Sequence, residues 1–176
     1  MDMRHRLSQL LDNARTNDML FDKTKRLVLS LADTTQFDDC LDALFFGLQT
    51  EFDIEYSSLL LIHHNADMPV PANRQARLIH PTEITERQLS FFQPSFQKSR
   101  AICGQLVESE KQFIFANKAD QIGSTALATL HHDNQLLGVL AIANRDPDYY
   151  RSSMNTLFLN FIADMLARLL HPYLSP

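Results

Sequence analysis

The chain has 176 residues, 45% of them apolar and 21% charged, enough for one domain with a full core and an appended helix. A formal charge of −5 and a pI near 5.7 exclude the clustered Lys and Arg that a nucleic-acid surface needs. No unbroken apolar segment reads as a signal peptide or membrane span, and two cysteines cannot build a disulfide framework, so a cytoplasmic protein is expected.

The first element reads as one long helix from Met3 to Leu31. Leu7, Ala14, Phe21 and Val28 recur every seven residues, with Leu10, Asn17, Thr24 and Leu31 at the partner spacing. Such a seam suits a dimerising helix, and residues 1–33 are expected to form one; packing on its own domain is the alternative. After the break at Asp33-Thr34-Thr35, Leu41, Leu44, Phe45, Leu48 and Phe52 trace a second helical face, with Asp38 as expected N-cap. The run YSSLLLIHH follows, apolar on both parities and therefore a strand covered on both faces. Residues 64 to 77 read as a loop. Thr85-x-x-Gln88 resembles a capping box for a helix through Phe91 and Phe92 that Pro94 ends or kinks. A short strand or helix is expected around Phe113 to Phe115.

The clearest element is a hairpin, in which STALATLHH and QLLGVLAIAN flank Asp133-Asn134, a pair that tolerates positive φ. Counting outward from that turn pairs Leu130 with Leu137 and Ala128 with Val139. A last helix, capped by Ser152 or Ser153 and ended by Pro172, carries apolar residues around a wide sector. That width lets it touch the sheet on one side and, through Phe158 and Met165, a partner helix on the other. The order predicts an α+β fold with a largely antiparallel sheet and helices on both faces.

GSTALATL, LLGVLAIANRDPDYY and TLFLNFIADMLARLL, together with Thr16 to Leu29, resemble a bacterial GAF-like family of unassigned function. Asn155 stands where that family's last motif has Gly, and Asn144 where Ser is commoner. The resemblance covers nearly the whole chain. It implies a regulatory or sensory module over residues 34–176: a central antiparallel sheet, a potential ligand cavity on one face, and terminal helices that commonly dimerise. Asn117-Lys118 matches the start of the motif of cyclic-nucleotide-binding GAF domains, but the later Phe and Asp-Glu are missing, which argues against that ligand.

Candidate sites follow from residue type. The four glycines are too dispersed for a phosphate-binding loop, and HExxH, CxxC and GxSxG are absent. Phe91, Phe92, Phe96, Phe113 and Phe115 lie in the insert that would roof a GAF cavity, as core or as the lining of an apolar pocket. Cys103, Ser124, Ala126 and Arg145 complete the candidate ligand-binding set. In Asn144-Arg145-Asp146-Pro147-Asp148, turn chemistry favours a structural clip over anion recognition. The pairs His63-His64 and His131-His132 each offer one inward ring at most, and no third metal ligand is indicated. Cys103 would need a resolving thiol to act as a methionine-sulfoxide reductase, and Cys40 reads as a buried hydrophobe. The expected function is therefore a non-enzymatic regulatory homodimer, without cofactor, that binds a small ligand or a protein partner. An interaction scaffold with a self-filled cavity is the first alternative and a thiol-dependent reductase the second.

Overall fold

The computed structural model describes residues 2–64, 68, 70–84, 102–150 and 157–174. Among them, helix α1 (Met3–Ala32) and helix α2 (Phe37–Phe52) precede strands β1 (Tyr56–Ile62) and β2 (Ala76–Ile79). Strand β3 (Ile102–Gly104), helix α3 (Glu108–Phe115) and a 3-10 helix (Ala116–Gln121) follow. The chain closes with β4 (Ser124–His132), β5 (Gln135–Asn144) and helix α4 (Leu157–Leu174). The five strands form one sheet in the order β2-β1-β5-β4-β3. Every pairing is antiparallel except β1 with β2, which run parallel.

Both faces of the sheet are covered, as the two-sided apolar strands require. On one face Leu59, Leu61, Ala126, Ala128, Leu140 and Ile142 pack under α1, α2 and α4. On the other, Tyr56, Leu60, Leu127, Val139, Ala141 and Ala143 meet Ile114 and Phe115 of α3 and Ile122 just beyond it. Helix α1 crosses α2 closely at Gly47, where an added Cβ would stand 2.3 Å from Leu27 Cδ1. Only Thr24, Leu27 and Leu31 of α1 are buried in the domain. Residues 2 to 19 are exposed throughout, so the first half of α1 is an arm standing clear of the body.

Several expectations are corrected. Helix α2 starts earlier than expected, with Gln36 as its N-cap; Asp38 and Asp39 occupy the first turn, where the helix dipole favours them. Asp38 instead accepts a hydrogen bond from the Ala72 amide at 3.1 Å. Strand β2 lies partly in the expected loop. Phe113 to Phe115 are helical, one of the two expected forms, with Glu110 accepting from the Val107 amide at 3.0 Å to secure the helix start. The hairpin turn is as expected, with φ of 50° at Asp133 and 66° at Asn134. Its register is not: Leu130 pairs with Gly138 and Ala128 with Leu140, because a bulge between Leu130 and His131 inserts one residue. The bulge reverses the faces that regular alternation back from Leu140 would give Leu136 and Leu137, so that Leu137 joins the helix-covered core and Leu136 the other. It also brings Gly138 against β1, where an added Cβ would lie 2.1 Å from the Leu60 carbonyl oxygen. Pro172 does not end α4, which continues to Leu174; that residue is fully buried and its carbonyl accepts from the His64 amide at 3.3 Å. The expected caps at Ser152 or Ser153 and the helix at Thr85 to Phe92 lie outside the described residues.

Candidate functional site

The insert-covered face of the sheet is where a ligand cavity was expected, and its polar groups are already engaged. Ser58, buried on β1, donates to the Ile114 carbonyl at 2.7 Å. Arg77 on β2 donates to the carbonyls of Phe113 and Ile114, the latter at 3.1 Å. Together they tie the carbonyl end of α3 to the sheet, a position where the helix leaves acceptors unsatisfied. Burial pulls the Arg77 guanidinium below its usual pKa. Thr125 donates to the Gly104 carbonyl at 3.3 Å. Ile114, Phe115 and Ile122 are buried against the same strands, so this stretch of the face is filled by the chain's own side chains.

The turn after β5 is a dense hydrogen-bonded clip. The Asn144 side chain accepts from the Asp146 amide and the Asp146 side chain from the Asp148 amide, each at 2.9 Å, two successive Asx turns. Ser124, 0% exposed, donates to the Asp146 carbonyl at 2.7 Å and accepts from the Tyr150 amide at 3.1 Å. Gly123 makes this approach feasible, since a Cβ there would stand 2.0 Å from the Arg145 carbonyl oxygen. The Arg145 side chain leaves the clip and runs along Tyr56: Nε lies 2.8 Å from the phenol oxygen and 2.6 Å from Glu55 Oε1. The phenol in turn donates to Gln121 Oε1 at 2.7 Å. The hydrogen bond to Tyr56, and then the charge of Glu55, raise the Arg145 pKa further.

The structure divides the candidate ligand-binding residues rather than gathering them. Phe113 and Phe115 lie with the insert-covered core, whereas Ala126 and Cys103 lie on the helix-covered face. Ser124 and Arg145 belong to the clip. Phe91, Phe92 and Phe96 lie outside the described residues. Arg77, Ser58, Tyr56 and Gln121 were not singled out from sequence; Tyr56 and Ser58 are polar side chains on a strand otherwise read as apolar, the one signal that marked them, whereas Arg77 fell in the expected loop. The histidines form two ring pairs at one end of the sheet, His63 with His80 at 5.8 Å and His132 with His171 at 4.2 Å between centroids. Nδ1 of His132 lies 3.4 Å from Asp133 Oδ2 without a hydrogen bond. Among the described residues no group of three His, Cys, Asp or Glu is placed to hold a metal ion. Cys40 is buried, and burial raises its thiol pKa.

On the helix-covered side the dimerisation residues separate as well. Leu7 is 55% exposed, Phe21 68%, and Ala14 is exposed on the arm, while Val28 is half-buried. On α4, Phe158 stacks on Phe52 of its own domain at 4.5 Å and 9°, and Met165 is half-buried.

This fold and these motifs agree with comparison to known proteins. The profile of the family described as protein of unknown function, DUF484, matches residues 1–175. The chain belongs to this family. Among solved structures, this chain is similar to the GAF domain of an Acinetobacter phosphoenolpyruvate-protein phosphotransferase. The two share 17% identity over 88% of this chain and 94% of that one, with a TM-score of 0.58. The A. aeolicus nlh2 GAF domain in an inactive state is similar at 11% identity over 89% of this chain and 98% of that one, TM-score 0.56. No curated protein matches. The fold of this DUF484 chain is therefore GAF-like, and none of its described helices is long and apolar enough to cross a membrane.

Proposed function

We propose that this DUF484 chain is a cytoplasmic, non-enzymatic regulatory module that works as a homodimer and binds a small ligand or a protein partner. The observation that carries the reading is the arm of α1: a GAF-like body that presents Leu7, Leu10 and Phe21 to solvent has an apolar seam in need of cover. The expected division holds as a proposal, residues 1–33 for dimerisation and 34–176 for the regulatory body, with the last turns of α1 serving both. Sedimentation of the full chain and of Leu10→Glu tests the dimer. A dimeric parent and a monomeric, folded variant are expected; equal monomeric masses refute it. Native mass spectrometry of freshly isolated protein tests ligand binding.

A second reading is favoured by the burial of Ile114, Phe115 and Ile122 on the face where a cavity would lie. On that reading the module is an interaction scaffold filled by its own side chains, and its native mass is that of the bare chain. A thiol-dependent reductase has less support, because burial raises the pKa of Cys40 and a resolving thiolate needs the opposite. Turnover of methionine sulfoxide that vanishes in Cys103→Ser would establish the reductase instead.

A further inference from the structure

We infer that the α1 arms of two copies pair antiparallel, in one register centred near residues 11 to 13. The inference rests on the homodimer proposed above and adds the orientation, which symmetry and the heptad leave open.

The seam has limited length. Thr24, Leu27 and Leu31 are buried in their own domain, so the stretch free to pair runs from Met3 to Phe21, about 28 Å of helix. In a parallel, in-register pair every residue on the seam meets its own copy. Ala14 then faces Ala14, leaving a gap, and Phe21 faces Phe21. Arg4 and Arg6 of both copies gather at one end. In the antiparallel register that sets Ala14 against Leu10 of the second copy, Phe21 meets Met3, so large residues face smaller or more flexible ones.

The flanks decide between the two. Leu11 sits beside the seam and is 58% exposed, as no isolated helix requires. In the parallel pair it would lie against Arg6 of the second copy. In the antiparallel register Leu11 meets Leu11 at the two-fold axis, and Asn13 meets Asn13 on the opposite flank. The same register sets Arg4 against Asp18 of the second copy, twice by symmetry. Neither Arg4 nor Asp18 has an ion-pair partner among the described residues. Sliding the register one heptad further would put Arg4 against Lys25 and would require Thr24, which the domain already covers. The two Arg4–Asp18 pairs and the Leu11 contact favour this arrangement; it sets Leu7 against Asn17, and sliding one heptad the other way would pair Leu7 with Leu10 but lose both ion pairs and leave Phe21 uncovered. Antiparallel pairing also sets the two helix dipoles head to tail.

The experiment uses the full chain with Cys103 replaced by Ser, so that the introduced thiols report. Ala14→Cys alone and Leu10→Cys alone are oxidised separately, then as an equimolar exchanged mixture, with sedimentation of each sample. The expected result is dimers throughout and a disulfide in the mixture alone, joining residue 10 of one copy to residue 14 of the other. Rapid cross-linking of Ala14→Cys with itself overturns the orientation and leaves the dimer standing. A dimer that forms neither bond overturns it too, and monomers in every sample overturn the dimer itself. Charge exchange gives an independent reading. Arg4→Asp and Asp18→Arg are each expected to weaken dimerisation about tenfold, by turning two attractive pairs repulsive. The double exchange is expected to restore it. In a parallel pair those residues lie about 21 Å apart along the helix, and the double exchange restores nothing.

Discussion

Replacing Ser124 by Ala tests whether the turn after β5 is held chiefly by one buried hydroxyl. The hydroxyl bonds at 2.7 and 3.1 Å, in a residue with no exposure. Its two partners are not equally dependent on it. The Asp146 carbonyl also accepts from the Tyr149 amide at 3.2 Å and keeps that bond. The Tyr150 amide, in a buried residue, has no second acceptor among the described residues and is left unsatisfied. An unsatisfied buried donor costs roughly 1–3 kcal/mol, and about 2 kcal/mol is expected here. For a domain of this size that lowers Tm by about 4–8 °C. Thermal melting by circular dichroism measures it, with urea unfolding to confirm that the slope is unchanged. Ser124→Thr retains the hydroxyl and separates the hydrogen bonds from the space the side chain fills. A melt within about 1 °C of the parent would show that Pro147 and the two Asx turns hold the clip unaided.

Gly138→Ala drives a methyl against the Leu60 carbonyl and is expected to lower stability by about 1–3 kcal/mol, read by urea unfolding. Arg77→Ala removes the bonds to the end of α3 and is expected to speed hydrogen exchange selectively across residues 108–121, measured by mass spectrometry. A double-mutant cycle on Phe52 and Phe158, each to Leu, is expected to return a coupling of about 0.5–1.5 kcal/mol from their stacked rings. Burial raises the Cys40 pKa, so its neutral thiol favours the folded state below the ordinary thiol range, and that contribution is lost as pH rises through it. Cys40→Ala is accordingly expected to flatten the alkaline fall in stability between about pH 8 and 10, seen in melts across that range. Arg145→Ala, at an exposed ion pair, is expected to leave the melt nearly unchanged.

How much of this was legible varied with the range of the interaction that decides it. Helix α2 and the hairpin declared themselves because periodicity and turn residues are local. The long seam of α1 was equally plain, but its division into a buried end and a free arm depends on Gly47 of another helix admitting Leu27. Strand β2 was hidden because four residues carrying Arg77 at their centre have no alternation to show. The hairpin register failed for a physical reason: the bulge swaps the faces that Leu136 and Leu137 meet, and which face suits each is decided by the helices packed there, not by the turn residues. At the candidate site, turn chemistry identified the clip around Asp146 and Pro147 correctly in kind. It could not reveal Ser124 as its anchor, because those residues are 22 apart in sequence and meet only in the folded sheet. Grouping Ser124, Ala126 and Cys103 with the phenylalanines overlooked that strand parity sends Ala126 and its β3 neighbour Cys103 to the opposite face.

Helix α1 has neither glycine nor proline among its 30 residues, and one end is clamped in the core by Leu27 and Leu31. It therefore has no hinge. About 45 Å of unbroken helix behaves as a stiff lever whose fulcrum is the crossing at Gly47. Any torque applied to the arm by whatever grips it is delivered first to α2 and α4, the helices its clamped end packs against, and any shift of those helices swings the arm's far end through an amplified arc.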